Sequence, residues 1–325
     1  MKKLTSIILA IVMCVSALGL TSCTAADDGK YTIGICQLVQ HPALDAATQG
    51  FIDAVKAELG EENVEFLNEN ASNEASVCTT IVNNFVSKKV DLILANATPA
   101  LSAAVTGTTT IPVLGTSITE YGTALGIENF NGLVGSNVSG TSDLAPLKDQ
   151  AAMILDLFPD AEKVAMLYCA GEPNSAYQVK VIGAELASKG ITVIDKKFTD
   201  TNDATSVAAA AAAEADVIYI PTDNTAASAA NAINGVIGNT PVIAGEEGIC
   251  TGCGVATLSI SYYDLGFTTG KMAAEILKGE SNIEQMEIRY ADKFTKKYNP
   301  EKCKQLNIDT ASLEAKGYVA IEIAK

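Results

Sequence analysis

The only histidine of the chain stands in QLVQHPALD, residues 37–45, just after an apolar run and close to a carboxylate. His41 with Asp45 is a pairing that a general acid–base catalyst would use. Similar side chains follow the other apolar runs. Gln37 ends the first run, Thr98 follows the third in NATPAL, and Thr116 and Ser117 stand in GTSITE. Ser142 and Asp143 stand in GTSD, then Glu172, Asn174 and Ser175 in GEPNSAY, Asp223 and Asn224 in PTDNTAAS, and Glu246 in AGEEG. These hydroxyls, amides and carboxylates suit the capture of a small polar solute. A carboxylate would meet helix N-termini and the hydroxyls of Thr98, Ser117 and Ser142. An ammonium would meet Asp223 first and Glu246 second. Plain helix capping is the competing reading for each, because these residue types dominate N-caps.

Other chemistries lack their parts. No G-x-G-x-x-G or G-x-x-x-x-G-K-[ST] run provides a nucleotide cradle, so no cofactor is expected. No G-x-S-x-G elbow follows a strand, and one histidine near the start does not make a hydrolase triad. Cys250 and Cys253 in GICTGCG would need two further ligands to hold zinc, and no second pair supplies them, so no metal is expected. A local disulfide or two free thiols remain for that pair.

The positioning elements follow from periodicity. Short β-branched runs at 31–37, 63–69, 91–97, 111–117 and 132–138 alternate with amphipathic helices. In the first helix Leu44, Ala47, Phe51, Ile52, Val55 and Leu59 form one stripe. The pattern restarts with runs at 163–170, 191–198, 216–223 and 241–247. The alanine run 208–213 reads as a helix, on propensity. Continuous apolar strands separated by helices predict parallel sheets covered on both faces. The fold class is therefore α/β, with two doubly wound lobes in tandem joined near 138–143 by a multi-strand hinge. In such sheets ligands sit beyond the carboxyl ends of the strands, where the polar residues above fall.

Composition agrees. The chain has 325 residues, 48% of them apolar, and no tryptophan. Residues 1–22 have a basic start at Lys2 and Lys3, then an apolar run that leads into LTSC at 20–23, as in a secretory signal peptide. LTSC resembles a bacterial lipobox, so Cys23 is expected to carry lipid, with 23–30 as a polar tether. From Cys23 onward 303 residues carry 20 basic and 38 acidic side chains, a net charge near −18. That surface repels nucleic acid and anionic lipid. The length exceeds what one core usually organises. We expect a first lobe of 31–141 plus about 259–282, and a second of 142–258 plus about 283–325.

HPALD, ATPAL, NVSGTSD, EPNS, IPTDNTAASAANAI and SYYDLGFTTGKMAAEILKGE occur in this order, between about Tyr31 and Glu280. Together they resemble the tryptophan/tyrosine-type family of ABC-importer substrate-binding lipoproteins, which have the type I periplasmic-binding-protein fold. The resemblance implies a monomeric, non-catalytic receptor, lipid-anchored on the extracytoplasmic face of the cell membrane. Its lobes would close on a small solute, often an aromatic amino acid, and deliver it to an ABC permease and its ATPase. GICTGCG, directly after the AGEEG loop, departs from the family pattern. Competing classes are a ligand-sensing receptor or an extracytoplasmic enzyme on the same two-lobed fold. A repressor would need a basic helix-turn-helix where this chain has a signal peptide.

Overall fold

The computed structural model describes residues 29–322. The signal peptide, Cys23 and most of the expected tether lie outside them. Strands β1 (Tyr31–Gln37), β2 (Val64–Asn70), β3 (Leu92–Asn96), β4 (Val113–Ile118) and β5 (Val138–Ser142) form one parallel sheet in the order β2-β1-β3-β4-β5. Every residue of β3 and β4 is buried, as strands covered on both faces require. Helices α1 (Pro42–Leu59), α2 (Ala75–Lys88), α3 (Thr98–Gly107) and α4 (Tyr121–Leu125) connect them. Leu44, Ala47, Phe51 and Val55 of α1 turn inward, realising the predicted stripe. The fifth strand starts at Val138, where the sequence reading expected it to end. Gly132 and Gly135 take φ of 99° and 73°, which breaks the extended run before it.

Strands β6 (Lys163–Cys169), β7 (Thr192–Phe198), β8 (Val217–Ile220), β9 (Val242–Ala244) and β10 (Ala256–Ser259) build a second parallel sheet, ordered β7-β6-β8-β9-β10. Its helices are α5 (Leu147–Leu157), α6 (Pro173–Ser188), α7 (Thr201–Glu214), α8 (Asn224–Asn234) and α9 (Glu247–Gly252). The alanine run lies in α7, where Ala204, Ala208 and Ala211 are buried and Asp200 with Asp203 forms a capping box.

From β10 the chain returns to the first sheet through α10 (Tyr262–Leu277). This helix lies against α1 with almost no separation. A Cβ on Gly266 would fall 1.9 Å from the Ala47 carbonyl oxygen, and one on Gly50 would fall 2.1 Å from that of Tyr263. Only glycine lets the two backbones approach so closely. Phe51, Val55, Met272 and Ala273 close the core beneath the pair. Strand β11 (Arg289–Tyr290) then adds to β5 in parallel. The chain crosses back between Tyr290 and Thr295 to β12 (Thr295–Tyr298), antiparallel to β10, followed by α11 (Pro300–Gln305), α12 (Thr310–Ala315) and β13 (Val319–Ala320).

Residues 283–290 thus sit with the first sheet, whereas the sequence reading gave everything from 283 to the second lobe. Met286 accepts a hydrogen bond from Ser139 Oγ (2.8 Å), and Ile283 and Met286 are buried beside Leu114. Three crossings connect the lobes: after Ser142, after Ser259 and after Tyr290.

Cys250 and Cys253 are both buried and stand as free thiols in the structure. The Cys253 thiol points back to the Ile249 carbonyl (3.4 Å), and Cys250 packs in the core beneath α9. Among the described residues no cluster of metal ligands occurs, and no helix is long and apolar enough to cross a membrane.

Candidate functional site

The carboxyl ends of both sheets face one narrow cavity of about 10 Å³, room for on the order of one water. His41, Leu44, Ser117, Thr119, Asp143 and Tyr262 border it from the first lobe and the first two crossings. Asn174, Thr222, Asp223, Asn224, Ala227 and Glu246 border it from the second lobe. No lysine or arginine is among them.

His41 occupies the N-cap position of α1, with Pro42 at the first helical position, yet its ring makes no capping bond. Instead Nε2 lies 3.2 Å from Asn224 Oδ1 of the opposite lobe. Both sequence readings of His41 therefore meet here: its backbone caps the helix and its ring faces the cleft. Ser117 is left-handed, with φ 56°, where the register between β4 and β5 shifts from Gly115 to Ile118. Its buried Oγ has no protein partner. Asp143, next after β5, is 4% exposed. Its Oδ2 accepts a 2.9 Å bond from the Tyr262 hydroxyl and its Oδ1 accepts none. Burial raises the Asp143 pKa to about 6, partly offset by the Tyr262 and Thr119 hydroxyls.

Three further carboxylates lie on the second lobe's side, each holding a helix start. Asp223 caps α8, accepting from Ala226 N and Cys169 N, both at 2.7 Å. Burial, and then the nearby Glu172, push its pKa well up. Glu246 caps α9 by accepting from Gly248 N and Ile249 N, and burial raises its pKa too. Glu172, just before α6, reaches across to the head of α8. It accepts from the backbone N–H and side chain of both Asn224 and Thr225, at 2.8–3.0 Å. Asn174 donates from Nδ2 to Thr222 O (3.0 Å) and leaves Oδ1 unpartnered.

Of the fourteen side chains singled out from sequence, seven border the cavity: His41, Ser117, Asp143, Asn174, Asp223, Asn224 and Glu246. The others support the frame. Gln37 donates to Asp45 (2.6 Å) and accepts from Thr48 (2.6 Å), and Asp45 is otherwise exposed. Thr98 opens α3, but the cap is Ala97 at φ 90°, so the expected N-cap is displaced by one residue. Thr116 lies in a buried hydroxyl chain through Thr141 (3.2 Å) to Thr269 (2.8 Å) under α10. Ser142 donates to Thr119 O (2.8 Å), and Ser175 is fully buried near Thr222 O (3.4 Å). Tyr262 was not selected from sequence. Its signal was an aromatic pair directly after the last parallel strand, in SYYD.

Two α/β lobes with a polar cavity at their facing strand ends, spanned by three crossings, define a two-lobed solute-binding protein. The model of the family "ABC transporter substrate binding protein" matches residues 32–314, and the chain belongs to that family. A tyrosine-binding protein of Clostridioides difficile (strain R20291) is 32% identical over 338 residues, covering 98% of this chain and 96% of that one. A Streptococcus pneumonia ABC domain solved in complex with L-Trp has a TM-score of 0.84 at 27% identity, over 90% of this chain and 100% of that one. The ligand-free, open structure of a Clostridium difficile substrate binding protein with adhesive properties has a TM-score of 0.68 at 32% identity, with the same coverage. The fold is that of type I periplasmic binding proteins.

Proposed function

We propose that the protein captures an amino acid with an aromatic side chain between its lobes and delivers it to an ABC permease driven by its ATPase. One observation carries this reading. Four buried polar atoms without protein partners, His41 Nδ1, Ser117 Oγ, Asp143 Oδ1 and Asn174 Oδ1, all border the same cavity. Buried polar groups are costly when unpaired, so such a convergence marks where a polar ligand supplies the missing bonds. The tyrosine and L-Trp of the relatives support an aromatic amino acid as the solute.

The mechanism is lobe closure. The cavity is too small for an amino acid as it stands, so the lobes part to admit the solute and close on it. Likeness to the L-Trp complex exceeds likeness to the open relative, although the open relative is more identical in sequence. That contrast supports a nearly closed arrangement here. The solute binds the closed form better and shifts the population toward it. No step of bond making or breaking is involved, and the protein acts as a monomer.

Cys23 carries a lipid anchor and holds the acidic lobes on the extracytoplasmic face of the cell membrane. Calorimetry with the protein L-amino acids tests the solute: tyrosine or tryptophan should bind at micromolar Kd or tighter. Binding of no amino acid would overturn the reading. For the anchor, Cys23→Ser should release the protein from the membrane fraction, and unlipidated wild-type protein in the medium would refute it.

A further inference from the structure

We infer that Asp143 Oδ1 and Asn174 Oδ1 together accept the ammonium of the bound amino acid, and that Tyr262 positions Asp143 to do so. The inference rests on the amino-acid reading above and names the recognition chemistry within it. Four buried carboxylates surround the cleft, but three are already committed. Both oxygens of Asp223 accept backbone N–H groups, from Ala226 and Cys169. Glu246 accepts from Gly248 N and Ile249 N, and Glu172 holds Asn224 and Thr225 by four bonds. Asp143 alone among them borders the cavity with a buried oxygen, Oδ1, that accepts no hydrogen bond from the protein.

Asn174 offers the matching acceptor. Its Nδ2 is directed by the acceptors Thr222 O (3.0 Å) and Glu172 Oε2 (3.3 Å), which fixes Oδ1 as the free atom. One acceptor belongs to the first lobe and the other to the second. An ammonium has three donors and no acceptor, so it satisfies both, and it bridges the lobes in doing so. No lysine or arginine borders the cavity to compete for Asp143. Tyr262 spends its hydroxyl on Oδ2, which leaves Oδ1 as the oxygen turned to solute. Asp143 sits at the first crossing and Tyr262 just past the second, so their bond also ties two hinge segments together.

The sequence reading had given the ammonium to Asp223, then Glu246. Calorimetry on the full mature chain separates these assignments. The ligands are L-tyrosine, L-tryptophan and the deamino analogue 3-(4-hydroxyphenyl)propanoate. Asp143→Asn should weaken both amino acids by about 30-fold or more, as losing one member of a desolvated charge pair does. It should leave the deamino analogue unchanged or bound more tightly. Asn174→Ala should lose less, about tenfold, with the same selectivity. Tyr262→Phe should weaken the amino acids alone, by a factor between those two. Asp223→Asn should lower the ligand-free melting temperature and, where it weakens binding, weaken the amino acids and the deamino analogue alike, because it loosens the head of α8. An equal loss for all three ligands in Asp143→Asn, or a selective loss in Asp223→Asn, would overturn the assignment. If no variant binds the analogue, the contrast between Asp143→Asn and Asp223→Asn decides alone. A wild type that binds neither amino acid would overturn the functional reading itself.

Discussion

His41 Nε2 and Asn224 Oδ1 stand 3.2 Å apart, joining the cap of α1 in one lobe to the first residue of α8 in the other. Glu172 accepts from Asn224 Nδ2 at 2.8 Å, so the amide is oriented and its oxygen must accept from the imidazole N–H. A second bridge runs from Asn73 Nδ2 to Thr225 Oγ1 at 3.1 Å. Both depend on the lobes being together. Such a bond contributes about 0.5–1.5 kcal/mol net, so Asn224→Ala and His41→Ala should each weaken solute affinity by roughly two- to tenfold. Mass spectrometry of protein incubated with solute should show no conversion. Turnover by wild type that is lost in His41→Ala would restore the acid–base reading.

Glu172 is a structural carboxylate. Glu172→Gln replaces an oxygen that accepts from the head of α8 with an amide that donates, leaving buried N–H groups unpaired. The expected cost is about 1–3 kcal/mol, read as a lowered urea midpoint with an unchanged slope. A variant as stable as wild type would show that α8 does not need this anchor.

Stability should depend on pH with a sign set by burial. Asp143 titrates near 6 in the folded chain against about 3.8 for the free group, so the native state holds more protons between those values. Its contribution is therefore present in acid and is lost as pH rises from about 4 to about 6. Asp223 and Glu246 are shifted in the same direction, again chiefly by burial. Urea midpoints from pH 4 to 7 should fall less steeply in Asp143→Asn than in wild type. Solute affinity should run the other way, weakening below about pH 6 as Asp143 loses the charge that holds an ammonium. Parallel pH profiles for wild type and variant would refute both statements.

The seam between α1 and α10 should tolerate no added carbon. Gly266→Ala would push a Cβ to 1.9 Å from the Ala47 oxygen, and that atom is backbone. Overpacking there should cost about 3 kcal/mol or more. Gly171→Ala is the control: the nearest atom to its Cβ would be Cys169 Sγ at 3.8 Å, and stability should change by less than about 0.5 kcal/mol. Equal melting temperatures for the two variants would mean that the helices are free to separate.

Strand alternation and the α1 stripe were legible because apolar periodicity reflects burial directly. So were the strand ends that carry the site, since His41, Ser117 and Asp223 follow apolar runs. Which of those side chains turn to the cleft was not legible. Thr116 and Ser117 are neighbours of similar chemistry, yet the register shift after Gly115 sends one into the core and the other to the cavity. That Asp223 gives both carboxylate oxygens to backbone N–H groups was not legible either, because the choice between capping and facing a solute depends on geometry that sequence does not carry. The return at 283–290 was missed for a related reason: a two-residue strand has no period to detect.

The glycine seam has a kinetic consequence. Because α10 is locked to α1, Tyr262 travels with the first lobe, as does Asp143 at the end of β5. The pair stays assembled when the lobes swing apart, so on the proposed reading an arriving solute meets a finished half-site on one wall. Asn174 and Asn224 arrive afterwards, with the second lobe. Capture is then ordered: a collision step set by diffusion to the first lobe, followed by a first-order swing whose rate does not depend on how much solute is present.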